Sequence, residues 1–122
     1  MSNPNIYSTT VVNLVTLGGA LTSSEVALLS NAALSGHVYK IISLYVSNIS
    51  SGNGTVTASW NNGASLGGTD YHLCKTTPVI TTGSLVIIDE TSPVVLNENN
   101  SLGVLANASS TLEYVLVYQD IM

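Results

Sequence analysis

The segment HVYKIISLYVSNISSGNGTVTASW, residues 37–60, decides the predicted fold. Its second part alternates strictly: Val56, Ala58 and Trp60 share one side, and small polar residues occupy the other. A period of two is typical of a strand with one buried face, so we assign Trp60 to the core. The Asn-Gly pair before this strand supplies the positive φ that tight hairpin turns need. The segment therefore predicts antiparallel β-structure.

The first part of the same segment is apolar on both sides. Alternation assigns an aliphatic set to one face: Val38, Ile42, Leu44 and Val46. It assigns a partly aromatic set to the opposite face: Tyr39, Ile41 and Tyr45. The closing segment, 111–121, behaves similarly. Strands that are apolar on both faces are covered on both, so a terminal arm or a neighbouring subunit must cover the side away from the core. The interface residues that we predict are Tyr39, Ile41, Tyr45, Val115 and Val117.

Turn-forming residues recur along the chain at the spacing of about 8 to 12 residues that is typical of all-β sandwiches and barrels. We predict about eight strands, at 6–17, 37–49, 54–61, 70–76, 84–89, 93–97, 101–107 and 111–121. The segment 23–34 fits either a short capped helix or a strand followed by a turn, and we favour the strand. The predicted fold class is all-β, an antiparallel β-sandwich of jelly-roll or immunoglobulin-like type. One domain spans residues 1–122, with 1–20 as an N-terminal arm or an edge strand.

The composition favours a subunit of a larger assembly. Charged residues make up 7% of the chain, against about 25% in typical domains. Ser, Thr and Asn together account for 42 of the 122 residues. Neutral polar surfaces are easier to desolvate than charged ones, and the cores of protein interfaces are depleted in charge. The alternative is a low-charge domain that stays monomeric.

Charge and cysteine content exclude several classes of function. The net charge is −5, and Lys40 and Lys75 are the only basic residues besides two histidines, which is too few for a nucleic-acid or anionic-membrane footprint. No apolar run reaches the ~20 residues of a membrane span. The first ten residues show neither the basic nor the apolar region of a signal peptide. Cys74 is the single cysteine and cannot form an internal disulfide. These features predict assembly in a reducing cytoplasm.

The candidate chemical sites are weak. His72 and Cys74 are two residues apart on a predicted strand, which would place them on one face as a thiol nucleophile and its base. No third group that could orient them is apparent, so we predict no catalytic residues and no enzyme. Calcium could be held by the loop oxygens of Asp89, Glu90, Asn97, Glu98 and Asn99. The alternating ligand spacing of a dedicated calcium loop is absent, so we predict no metal and no cofactor.

Residues 36–121 resemble small β-sandwich virion proteins of tailed bacteriophages. Residues 36–60 resemble their opening strand pair. The continuation resembles them in its Tyr-x-Leu strand, Pro-Val step, Gly-Ser turn, Pro-Val-Val-Leu strand and Ser-Leu-x-Val strand. The resemblance implies a non-enzymatic virion structural protein, above all a capsid decoration (cement) protein that stabilises the phage head, with a neck or tail component as the alternative.

The partners that this resemblance implies are the major capsid protein or other virion subunits. By analogy the chain is a homo-oligomer, with a trimer preferred, and it resides in the virion after assembly in the host cytoplasm. A fibre-associated component, or a carbohydrate- or receptor-binding β-sandwich module, is the remaining alternative.

Overall fold

The computed structural model describes residues 11–122, which form nine strands and one short 3₁₀ turn, Ala64–Leu66. The strands are β1 (Val12–Ala20), β2 (Val26–Asn31), β3 (Val38–Asn48), β4 (Gly54–Asn61), β5 (Asp70–Val79), β6 (Ser84–Ile88), β7 (Val94–Leu96), β8 (Asn100–Ala106) and β9 (Leu112–Ile121). Within this range there is no helix long and apolar enough to cross a membrane.

The strands form two antiparallel sheets. The five-stranded sheet has the order β1-β9-β3-β6, with the short β7 also paired with β3, and the four-stranded sheet has the order β2-β8-β4-β5. Most connections cross from one sheet to the other, except β4 to β5 and β6 to β7, which stay within one sheet, and the first and last strands of the described chain are neighbours. This is the double Greek-key order of a jelly roll. The predicted antiparallel sandwich is confirmed, and the strand order selects the jelly roll over the immunoglobulin-like alternative.

Most strand positions agree with those predicted. The strand at 54–61 coincides with β4, and the ambiguous segment 23–34 contains the strand β2. The predicted strand at 70–76 continues to Val79. It passes through Pro78, which β5 tolerates because it is an edge strand, where a missing N–H need not break the ladder. The first predicted strand began at residue 6, and residues 6–10 lie outside the described range.

The core lies between the two sheets and is almost entirely aliphatic. Its fully buried members come from both sheets and include Ile41, Leu44, Val46, Val56, Ala58, Leu96, Leu102, Val104, Leu112 and Leu116. Leu44 and Leu116 are direct cross-strand partners at the centre of the five-stranded sheet. Trp60 is half-buried and packs against this cluster, which agrees with its predicted place.

A β-bulge at Ile42 reverses the predicted faces in the first half of β3. Ile41 and Ser43 pair with consecutive residues of β9, so Ile42 has no partner there. One extra residue shifts the alternation by one and exchanges the two faces. Ile41 is therefore fully buried in the core. Tyr39 also packs against the core, and the centroid of its ring lies 5.2 Å from that of the Tyr118 ring. The prediction that Tyr39 and Ile41 face outward is wrong.

A second bulge separates the two candidate catalytic residues. Cys74 pairs with Ala58 and His72 pairs with Ser59, which are consecutive on β4, so Leu73 is the extra residue. Cys74 packs against the core, while His72 is exposed on the opposite side of the sheet. The predicted common face of His72 and Cys74 is wrong, for the same reason as in β3.

Candidate assembly interface

The face of the five-stranded sheet that points away from the core, called the outer face below, carries a row of apolar side chains. Val115 on β9, Tyr45 on β3 and Val86 on β6 are direct cross-strand partners, and Gly18 of β1 continues the row. Tyr45 is 38% exposed and Val86 is 59% exposed. The row is therefore an uncharged, partly solvent-exposed strip that crosses the sheet.

Further exposed apolar side chains extend this strip. Leu14 on β1, which is 66% exposed, and Val95 on β7, which is 41% exposed, lie at the two ends of another row. Gln119 and Lys40 stand between them. Sequence analysis missed Leu14, Val86 and Val95, although the alternation within β1 and β6 contained the signal.

Three of the five predicted interface residues lie on the outer face. Tyr45 and Val115 form the centre of the row, and Val117 lies beside Ser43 in the next row. Val115 and Val117 are half-buried. Their placement matches the alternation of β9, in which Leu112 and Leu116 point into the core. The remaining two predicted residues, Tyr39 and Ile41, lie on the inner side of the sheet.

The bulge at Ile42 also opens a pocket on the outer face. Its volume is about 290 Å³, and it is lined by Ile42, Ser43, Val117, Asp89 and Glu90. Hydrogen bonds from the hydroxyl and amide of Thr91 lower the pKa of Asp89, so this carboxylate is ionised at neutral pH. The pocket has an apolar floor and an acidic rim. These would suit the aliphatic stem and the charged end of a Lys or Arg side chain.

The free edge of β1 adjoins the outer face, and no element of residues 11–122 covers it. Proteins guard exposed strand edges with charges, prolines, bulges or short strands. The sequence of β1, VNLVTLGGA, contains neither a charge nor a proline, and its register with β9 is unbroken from Val12 to Ala20. The other edges are protected: β5 has Lys75, Pro78 and bulges, and β2, β6 and β7 are short. An unguarded edge is a ready template for pairing with another strand.

The loop oxygens that were considered as calcium ligands accept hydrogen bonds at three separate places in the fold. An Asp89 carboxylate oxygen accepts hydrogen bonds within its own turn, Glu98 Oε2 accepts one from the Gly36 amide at 2.8 Å, and Asn99 Oδ1 accepts one from the Ala64 amide at 3.1 Å. Across residues 11–122, no group of three or more His, Cys, Asp or Glu side chains is placed to hold a metal ion. The arrangement at these loops is that of turn stabilisation.

A hydrogen bond between two side chains closes one end of the five-stranded sheet. His37 Nδ1 lies 2.6 Å from Asp120 Oδ1, which ties the residue before β3 to the end of β9. Burial, followed by the charge of Asp120, raises the pKa of both Tyr39 and Tyr118. These phenols are therefore neutral packing groups at physiological pH, which agrees with the place of Tyr39 beside the core.

A pair of carboxyl groups lies on the other sheet, and sequence analysis did not identify it. Glu25, just before β2, hydrogen-bonds through its side chain with Asp70, the first residue of β5. Burial and the neighbouring Asp70 raise the pKa of Glu25. A hydrogen bond between two carboxyl groups requires a proton, so the pair repels when both groups are ionised.

We expect Glu25→Gln to stabilise the protein at neutral pH more than at acid pH. The folded-state pKa of Glu25 lies above its unfolded value, so the pair's contribution is fully present below the unfolded pKa and is lost as pH rises through the folded pKa. A glutamine amide can donate to Asp70 at every pH. The difference in melting temperature between Glu25→Gln and the parent should therefore grow between about pH 4 and pH 7.

The titratable group that acts on Glu25 is Asp70, on β5. The same pH scan on Glu113→Gln, an exposed Glu on β9, supplies the background for a distant Glu. If the difference in melting temperature between Glu25→Gln and the parent stayed constant across the pH range, the coupling between Glu25 and Asp70 would be contradicted.

Comparison with known proteins finds solved structures with a similar fold. No protein-family model and no curated protein matches the sequence. A chain from Bacillus endospore appendages, described as disulfide-linked pili, aligns with 98% of this chain and 95% of its own length, with a TM-score of 0.53 and 17% identity. A chain of the acid-stable capsid of Helicobacter pylori bacteriophage KHP30 aligns with 93% of this chain and 90% of its own, with a TM-score of 0.52 and 8% identity.

A third similar structure is an archaeal virus protein described by a triple jelly-roll fold and turret assembly. It aligns with 93% of this chain over 29% of its own length, with a TM-score of 0.51 and 18% identity. At these identities the similarity concerns the fold. The jelly roll of this chain is thus one that capsid and pilus proteins also use.

Proposed function

We propose that this chain is a non-enzymatic structural subunit of a virion, and specifically a decoration protein that binds and stabilises a phage head. The observation that carries the proposal is the apolar row on the outer face, in which Tyr45 and Val86 are exposed without a covering element in the described chain. Neutral apolar patches with aromatic anchors are typical of the cores of protein interfaces.

Two neighbouring features indicate how a partner would bind. The pocket at Ile42 would receive a basic side chain from the major capsid protein or another virion subunit. The free edge of β1 would pair with a second copy of this chain, because a strand without charges meets its own copy without repulsion. We further propose a homo-oligomer assembled in the host cytoplasm, and we prefer a trimer by family analogy alone, because pairing of β1 with its own copy would by itself give a two-fold dimer.

The single cysteine favours a virion over a disulfide-linked pilus. Each subunit of a covalently linked filament must be joined to neighbours on both sides, whereas Cys74 alone can form one such bond. Cys74 is also half-buried, with its Sγ 3.9 Å from the carbonyl oxygen of Val56. The assembly that we propose is therefore held by non-covalent contacts.

One observation favours a binding module as the second candidate. The rings of Trp60 and Tyr71 lie 5.8 Å apart on the four-stranded sheet, and Tyr71 is 56% exposed. A pair of aromatic rings can stack against a sugar or a receptor side chain. This surface would serve a fibre-associated or receptor-binding protein, which would leave the outer face free.

Imaging of purified particles tests the proposal. We expect ordered copies at the symmetry axes of the capsid, with the outer face turned towards a neighbouring chain. Copies found solely at the neck or tail would establish the alternative structural role. Copies whose outer face contacts no other chain would overturn the proposed interface, and copies at fibre tips with the exposed ring of Tyr71 against a ligand would support the binding module.

A further inference from the structure

The face of the four-stranded sheet that points away from the core has a small gap above Gly103. Gly103 on β8, Ser59 on β4 and His72 on β5 are cross-strand neighbours, so their side-chain positions form one row. A Cβ atom at Gly103 would lie 2.7 Å from Glu25 Oε2 and 2.8 Å from Leu66 Cδ2. The Glu25 carboxylate therefore occupies the space that the glycine leaves.

The Glu25 carboxylate reaches across the sheet from this position. Glu25 precedes β2 at one edge, and its hydrogen-bond partner Asp70 lies on β5 at the other edge. The two side chains therefore meet above β8 and β4. Asp70 is held from below by Asn61, whose Nδ2 donates to Asp70 Oδ1 at 2.7 Å. Burial and the neighbouring Asp70 raise the pKa of Glu25, and no basic side chain contributes to this shift.

Ser59 is a buried hydroxyl without a partner beside this pair. It is 0% exposed, and its Oγ is the one buried side-chain nitrogen or oxygen within residues 11–122 that makes no hydrogen bond. It stands on β4 next to Gly103, on the same face as the Glu25 carboxylate. Burying a hydroxyl without a hydrogen bond is unfavourable. Its lone pairs are available to a ligand held by the carboxylates.

We propose that Glu25, Asp70 and Ser59 form a binding site for a divalent cation of the oxygen-preferring class, best matched by calcium. A cation between the carboxylates would replace their repulsion with attraction to a shared charge and would use the free Ser59 oxygen. Calcium accepts carboxylate, hydroxyl, carbonyl and water oxygens in a flexible arrangement, so water can complete the shell. Zinc would require further nitrogen or sulfur ligands, which this set of three residues does not supply.

Calcium titration of the full chain tests the site. After chelation of residual metal, calcium chloride should raise the melting temperature in a saturable way at constant ionic strength, because a ligand that binds the folded state stabilises it. Glu25→Gln should weaken the apparent calcium affinity by at least about tenfold. Glu113→Gln, an exposed Glu on β9, is the matched control and should respond like the parent.

Ser59→Ala separates a ligand role from a packing role. Without calcium, this variant should be as stable as the parent or more so, because it removes an unpartnered buried hydroxyl. With calcium, its increase in melting temperature should be smaller than that of the parent. The proposal is overturned if calcium leaves the melting temperature of the parent unchanged, or if Glu25→Gln responds as Glu113→Gln does. A normal calcium response in Ser59→Ala would remove Ser59 from the site.

Discussion

Ile41→Ala should lower the free energy of unfolding by about 3 kcal/mol, within the range measured for large-to-small substitutions in protein cores. Ile41 is 0% exposed and lies in the cluster between the two sheets. Removing its outer carbons loses apolar burial and leaves a cavity that the paired strands cannot close. Urea unfolding of the isolated chain measures the effect.

The neighbouring residue is the matched control for this substitution. Ile42 has the same side chain and lies next in sequence, but the bulge turns it to the outer face, where it lines the pocket. We expect Ile42→Ala to cost less than about 1 kcal/mol in the isolated chain. If Ile42→Ala destabilised the protein more than Ile41→Ala, the bulge would be misplaced and the strictly alternating β3 strand would be correct.

Tyr45→Ala should release the protein from its particle while leaving the isolated sandwich folded. Tyr45 is at the centre of the apolar row and is 38% exposed in the free chain. Truncation of a central aromatic anchor typically costs about 2 kcal/mol of binding, or roughly 30-fold in affinity. Val86→Lys should have a larger effect, because assembly would bury a charge in the middle of the row. Occupancy per particle after washing measures both.

Tyr71→Ala provides the matched aromatic control. Tyr71 is 56% exposed, more than Tyr45, but lies on the four-stranded sheet, so its truncation should leave occupancy unchanged. Moderate salt should lower occupancy less than Tyr45→Ala does, because screening weakens the contact of a basic side chain with the Ile42 pocket but leaves the uncharged apolar row intact. Release by Tyr71→Ala, with retention of Tyr45→Ala, would transfer the interface to the other sheet.

Much of the fold follows from local sequence. The period of two in residues 54–61 depends on neighbouring residues alone, and β4 forms where the pattern places it. The alternation of β9 likewise puts Leu112 and Leu116 inside and Val115 and Val117 outside. Strand alternation acts over a few residues, so a single sequence reveals it. The tight hairpin turn predicted at Asn53 and Gly54 is wrong, because β3 and β4 belong to different sheets and neither residue has a positive φ.

The outer face could be predicted only in part, because two of its five predicted members are on the wrong side. Nothing in the run of apolar residues around Ile42 marks a bulge. The bulge exists because Ile41 and Ser43 pair with consecutive residues of β9, which lies more than seventy positions further along the chain. The same limitation applies to His72 and Cys74, whose faces depend on how β5 pairs with β4.

The sequence by itself determined an all-β, low-charge chain, the places of most of its strands, and the outward direction of Tyr45, Val115 and Val117. Tertiary structure alone decided the register between distant strands, and with it which side of β3 meets the core. It also brought Glu25, Asp70 and Ser59 together from three segments. The physical reason is that side-chain direction in a sheet has a period of two. One unpaired residue therefore exchanges the faces, and only the partner strand fixes where that residue lies.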